Sequence, residues 1–146
     1  MPEAGALEAL TIDSDPKRFR EARLWIASIA RRNGFTEAEA HELSLALNEA
    51  CANAHAHAYG GRVDGKIDLR AETGKGSVRL TIRDYGVRFD PSRYAPPELT
   101  HAREGGYGVY LITKLMDKVQ YIETGIGTCV VMDKSRRADP GSRGNR

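Results

Sequence analysis

The chain has 146 residues, 22 of them basic and 20 acidic, for a formal net charge of +2. That length suits one domain burying roughly 70% of its unfolded surface and is too short for two ordinary ones, and the near balance of charge does not indicate nucleic acid as a direct ligand. No apolar run approaches the roughly 20 residues of a membrane span, and the start MPEAGALEAL lacks the basic region and apolar core of a secretory signal, so no membrane contact and a cytoplasmic location are expected.

Ala6 to Ile12 alternates weakly and predicts a first strand. Ser14, Asp15 and Pro16 then supply an N-cap and a proline suited to a first helical turn. The helix that follows runs to about Asn33, with an apolar face of Phe19, Ala22, Leu24, Ile26, Ile29 and Ala30, and Gly34 ends it. Thr36 and Glu39 form a capping box that starts a second helix, predicted to reach about Tyr59. Leu43, Leu47, Ala50 and Ala54 are spaced four, three and four to make its core stripe.

Lys66 to Glu72 and Ser77 to Asp84 alternate as half-buried strands do and flank the turn at Gly74 to Gly76, a hairpin. From Gly86 to Gly105 the chain is irregular and holds Pro91, Pro96 and Pro97, a long connection of the kind that serves as a lid. A helix from about Tyr107 to Met116 precedes two more strands, Lys118 to Glu123 and Thr128 to Asp133. Strands in consecutive pairs predict an α+β two-layer sandwich: a mixed, mostly antiparallel sheet with helices on one face. Residues 1–133 read as one domain. Residues 134–146, with five basic residues and one acid, read as a disordered basic tail.

Three short segments carry chemistry. Glu49 and Asn53, in NEACANAHAHAY, lie four apart, about 40° around a helix, so a carboxylate and a carboxamide share one small volume. The amide oxygen suits magnesium and the carboxylate suits accepting a hydroxyl proton. Asp84 ends a strand in RDYGVRFDP, where an acceptor-only carboxylate can take an adenine amino donor and Gly86 removes a side chain beside the ring. Gly105, Gly106 and Gly108, in EGGYGVYLI, lead into an apolar helix and offer bare backbone N–H groups to phosphate oxygens. Taken singly, these are also an ordinary helix face, strand exit and helix start. Cys51 and Cys129 are far apart and outside any metal-ligand spacing, and His55 and His57, two apart, do not form an i,i+4 metal pair.

The order of the three segments resembles the N, G1 and G2 boxes of the GHKL ATP-binding superfamily, and the resemblance extends from about Leu7 to Asp133, with Thr128 similar to the family's closing glycine-threonine strand. The small bacterial anti-sigma-factor serine kinases are the nearest match, since the chain has no room for the added domains of histidine kinases, topoisomerases or related chaperones. The resemblance implies a Bergerat-type fold, ATP and magnesium as cofactors, Glu49 as general base and Asn53 as magnesium ligand. It further implies Asp84, Gly86 and Thr128 at adenine, Gly105, Gly106 and Gly108 at phosphate, Arg103 reaching the terminal phosphate from the lid, and Arg23 on a partner-binding face. The implied function is an ATP-dependent serine kinase that phosphorylates a STAS-type anti-sigma-factor antagonist and sequesters a sigma factor, working as a homodimer. Two other readings stand beside it: a non-catalytic ATP-binding module that acts by sequestration, and a free-standing ATPase of a two-component pathway.

Overall fold

The computed structural model describes residues 6–88, 107–122 and 124–137. Strand β1 (Ala6–Asp13) leads through a short 3-10 turn, Pro16–Arg18, into α1 (Phe19–Arg32) and then α2 (Glu37–Asn53). The α-helix widens into a π-helical turn at Ala54–Ala58, and β2 (Lys66–Gly74) and β3 (Ser77–Asp84) form the hairpin. After the segment expected to serve as a lid, whose residues 89–106 lie outside those described, come α3 (Tyr107–Leu115), β4 (Lys118–Ile122) and β5 (Cys129–Ser135). The described strands make one sheet in the order β1-β2-β3-β5-β4, and each of its four pairings is antiparallel, so no parallel pair enters the expected mixture.

Local chemistry places the helix starts. The Asp15 side chain accepts the Lys17 N–H at 3.0 Å. Ser14 takes no part in that cap: its hydroxyl donates to the Arg62 carbonyl and accepts from the Gly65 N–H, which ties the start of the helical layer to the entry of β2. At α2 the capping box is complete, with Thr36 Oγ1 accepting from the Glu39 N–H and Glu39 Oε1 accepting from the Thr36 N–H.

The sheet's alternation separates its faces. Ile67, Leu69 and Ala71, with Val78, Leu80 and Ile82 beside them, turn inward with Val130 and Met132 and bury against the helices. From the helical layer Ala22, Ile26, Ile29 and Ala30 of α1 and Leu43, Leu47 and Ala50 of α2 complete the core. Each large aliphatic side chain buried there contributes ~1.5–3 kcal/mol. Leu24 is not among them: at 52% exposure it lies off the 22-26-29-30 stripe, on the solvent side of α1.

The predicted tail begins too early. Lys134 continues β5, and its inward side chain is 4% exposed, donating to the Leu115 carbonyl at 2.8 Å and pairing with Glu42 at 3.0 Å. Arg136 N–H donates to the Gly76 carbonyl, and Arg137 N–H donates to the buried Glu39 carboxylate at 2.6 Å. Four residues of the basic stretch thus close the fold, because the buried Glu39 and half-buried Glu42 of α2, with nearby backbone carbonyls, offer partners that a composition reading does not register. Residues 138–146 lie outside those described.

Candidate functional site

The C-terminal half of α2, the end of β3, the middle of α3, the end of β4 and the start of β5 meet around one pocket. Its walls are Ala50, Ala54, Ile82, Ile112 and Val130, and its polar groups include Asn53, Asp84 and Thr128. Asp84 is 5% exposed. Its Oδ1 accepts the N–H groups of Thr128 at 3.1 Å and Gly86 at 3.2 Å, and its own N–H donates to the Thr128 carbonyl at 2.9 Å. Burial pushes this carboxyl above its ordinary range, against the opposing pull of those two N–H donors. The arrangement leaves an oriented acceptor on an apolar floor, which is what a flat heterocycle with one exocyclic amine requires. The pocket encloses about 20 Å³, with Ile112 of α3 on one wall.

Glu49 and Asn53 stand on the same side of α2, as their spacing predicts, both half-buried. Gly108, in the first turn of α3, packs directly on them. A Cβ placed there would fall 2.6 Å from Glu49 Oε1 and 3.6 Å from Asn53 Oδ1, so a larger residue would have to push the end of the Glu49 side chain aside. Burial raises the Glu49 carboxyl above its ordinary range. Gly86 is fitted as tightly on the other side, where a Cβ would overlap the Ala58 carbonyl oxygen, which also accepts the Val87 N–H at 2.8 Å. Sequence positions 49, 53, 84, 86, 108 and 128 therefore come together. Gly105, Gly106 and Arg103 lie outside the described residues.

Arg23 sits apart from the pocket yet is connected to it. Its Nη1 donates to Asn48 Oδ1 at 2.7 Å, one residue before Glu49, across the α1–α2 contact. His55 places Nδ1 2.8 Å from the Ser14 carbonyl, and among the described residues no three side chains of metal-ligating type form a group. Cys51 is buried, which pushes its thiol up to about 12, so it is chemically inert.

The sequence reading assigned no role to Tyr59. Its hydroxyl accepts the Tyr85 N–H at 2.8 Å and donates to the Lys66 carbonyl at 2.6 Å, pinning the turn that follows Asp84. The signal was its place at the end of the first motif. Its function depends on the π turn, which no periodicity announces, bringing the ring under Gly65.

An α+β sandwich with such a pocket defines a nucleotide-binding domain, and residues 12–134 match the family model described as the histidine kinase-like ATPase domain. The chain is 30% identical over 144 residues to the serine-protein kinase RsbW of Bacillus velezensis, covering 91% of this chain and 89% of that one. It is 32% identical over 133 residues to the RsbW of Oceanobacillus iheyensis, covering 86% and 84%. The chain belongs to the histidine kinase-like ATPase domain family and, within it, to the RsbW-type serine-protein kinases. Among solved structures, the RsbU and RsbW domains of Rv1364c from Mycobacterium tuberculosis share the fold, with a TM-score of 0.64 at 18% identity. That match covers 92% of this chain and 35% of the longer one.

Proposed function

We propose that this protein is an ATP-dependent serine protein kinase and anti-sigma factor. It phosphorylates a serine of a STAS-type antagonist and sequesters a sigma factor by partner switching in a stress response. The observation that carries this reading is the seat of Gly108 against Glu49 and Asn53, which brings the glycine turn to the acid–amide pair at one end of a pocket whose other end holds Asp84.

Phosphoryl transfer asks the protein mainly for positioning and charge neutralisation. Asp84 accepts from the adenine amine, Gly86 leaves room for the ring, and Thr128 steadies the carboxylate through its N–H. Asn53 Oδ1 is a hard donor for magnesium, an ion that keeps several waters and takes further ligands from phosphates, so one or two protein oxygens suffice. Held there, magnesium would neutralise charge on the phosphates. Glu49 orients the acceptor serine hydroxyl and takes its proton, a task to which a carboxyl raised above the ordinary range is suited. Gly105, Gly106 and Arg103 are assigned to the phosphates and Arg23 to the partner face. The working form is a cytoplasmic homodimer.

The test is phosphate incorporation into a STAS-domain antagonist by the wild type, Glu49→Ala and Asn53→Ala. Glu49→Ala is expected to bind ATP and lose about 10²–10⁴-fold in transfer, whereas Asn53→Ala loses magnesium-linked ATP binding. The wild-type rate should fall on acidification through a pKa above the usual carboxylate value, because the base works only when ionised and burial has raised it. Tight ATP binding without incorporation by the wild type would favour sequestration alone, and phosphate held on a partner's histidine would favour the two-component reading.

A further inference from the structure

The last pair of the β2–β3 ladder is Ile67 with Asp84, so the next rung would join Lys66 to Tyr85. Along a strand successive N–H groups point to opposite sides. The Asp84 N–H turns toward β5 and reaches the Thr128 carbonyl at 2.9 Å, which sends the Tyr85 N–H toward β2 and the Lys66 carbonyl. The Tyr59 hydroxyl is inserted between those two groups. It accepts the Tyr85 N–H at 2.8 Å and donates to the Lys66 carbonyl at 2.6 Å, and so takes the place of the missing rung.

A π turn and a glycine seat this hydroxyl. The wide turn at Ala54–Ala58 carries the Tyr59 ring to β2, where it is 8% exposed and lies so close to Gly65 that a Cβ there would fall 2.5 Å from it. Gly65 is itself fixed by Ser14, donating to Ser14 Oγ at 3.0 Å and accepting the Ser14 N–H at 2.8 Å. From the same π turn the Ala58 carbonyl accepts the Val87 N–H at 2.8 Å. The consecutive N–H groups of residues 84–87 are thus all engaged, by Thr128, Tyr59, the Asp84 side chain and Ala58 in turn. Of the two partners that come from the π turn and its end, only the Tyr59 hydroxyl can be removed by a side-chain substitution.

Asp84 Oδ1 already accepts the Thr128 and Gly86 N–H groups, so the oxygen left to a base is Oδ2, and its direction follows the backbone of residues 84–86. A hydrogen bond loses strength steeply when that direction is wrong. We propose that Tyr59 is a positioning residue for nucleobase recognition: by holding the end of β3 apart from β2, its hydroxyl aims Asp84 at the exocyclic amine of adenine. This role rests on the proposed reading of the pocket as an ATP site with Asp84 at the base, and Tyr59 acts through Asp84 without lining the pocket itself.

The experiment is calorimetry of the full chain with magnesium, comparing ATP with purine riboside triphosphate, which lacks the 6-amino group, in the wild type and in Tyr59→Phe. The wild type is expected to favour ATP by about tenfold or more, the worth of one hydrogen bond to a charged group. In Tyr59→Phe the ATP affinity should fall until that preference is about threefold or less, while the affinity for the analogue stays within about twofold of wild type. A merely structural role would lower the urea midpoint and weaken both nucleotides alike. Gly65→Ala keeps the hydroxyl but pushes the ring off its seat, so it should reproduce the loss of preference, and it carries the comparison if Tyr59→Phe does not fold. An undiminished preference in the folded variant, or equal weakening of both nucleotides, would overturn the proposal and leave the ATP reading standing. A wild type that binds both nucleotides equally would overturn the two together.

Discussion

Asp84 is under two opposing demands. In the proposed reading its carboxylate faces the base, yet burial raises its pKa above the ordinary range, so ionising it costs more in the folded protein than in the unfolded chain. For an acid raised on folding, the stability contribution is fully present below the unfolded pKa and is lost as pH rises through the folded one. At neutral pH the ionised side chain therefore detracts from stability. Asp84→Asn keeps an Oδ1 for the Gly86 and Thr128 N–H groups but removes the charge and presents a donor to the base. This variant is expected to lose ATP binding in calorimetry and to melt at a higher temperature than wild type at neutral pH, with the gain shrinking on acidification. A lower melting temperature at neutral pH would mean that the two N–H donors to the charged form outweigh its desolvation. Asp84, Glu49 and Asn53 were all legible as residues, since acid and amide at helical spacing and an acid at a strand end are chemical signals. Tyr59 was not, because a tyrosine after two histidines has no spacing that predicts a hydrogen bond to a turn 26 residues away.

At the scale of elements, the site depends on how closely α3 approaches α2. Gly108 makes that approach possible, and the glycine turn was read as a phosphate cradle without any sign that it also abuts Glu49. Gly108→Ala improves helix propensity by ~1 kcal/mol but forces a methyl group onto the Glu49 carboxylate, with overpacking of ~1–3 kcal/mol. The strain falls on the site, so ATP affinity is expected to drop by about tenfold while urea unfolding changes little. Calorimetry checks this, and unchanged affinity would show that α3 yields without cost. The second helix illustrates a different limit. Its apolar stripe predicted the core contacts of Leu43, Leu47, Ala50 and Ala54, all of them buried, but not the π turn at Ala54–Ala58. That turn places the Ala58 carbonyl under Val87 and so joins the first motif to the second. The wider turn comes at the very end of the helix, so no apolar helical residues follow it whose offset could record it.

Across the whole molecule, Glu39 links parts of the chain far apart in sequence. It is 0% exposed, completes the capping box of α2 and also accepts the Arg137 N–H. Burial pushes its carboxyl up, but the backbone donors of Thr36 and Arg137 outweigh that and hold it below the ordinary range. Glu39→Ala should therefore cost more than the ~1 kcal/mol of an average cap, about 2–4 kcal/mol by urea denaturation, because it leaves two N–H groups without their acceptor. A loss no larger than that of Thr36→Ala would show that the Arg137 contact adds nothing. The order of the strands and helices along the chain could be read from residue types and spacing, since caps, alternation and helical periods are local properties, and the family from the resemblance carried by the three motifs. Tertiary structure alone decided that Lys134–Arg137 close the fold, that Arg23 binds Asn48, and that Arg83 faces an aspartate already engaged by two hydroxyls. Each of those depends on strand register or on which distant acid an arginine meets, and long-range pairing leaves no local pattern in the sequence.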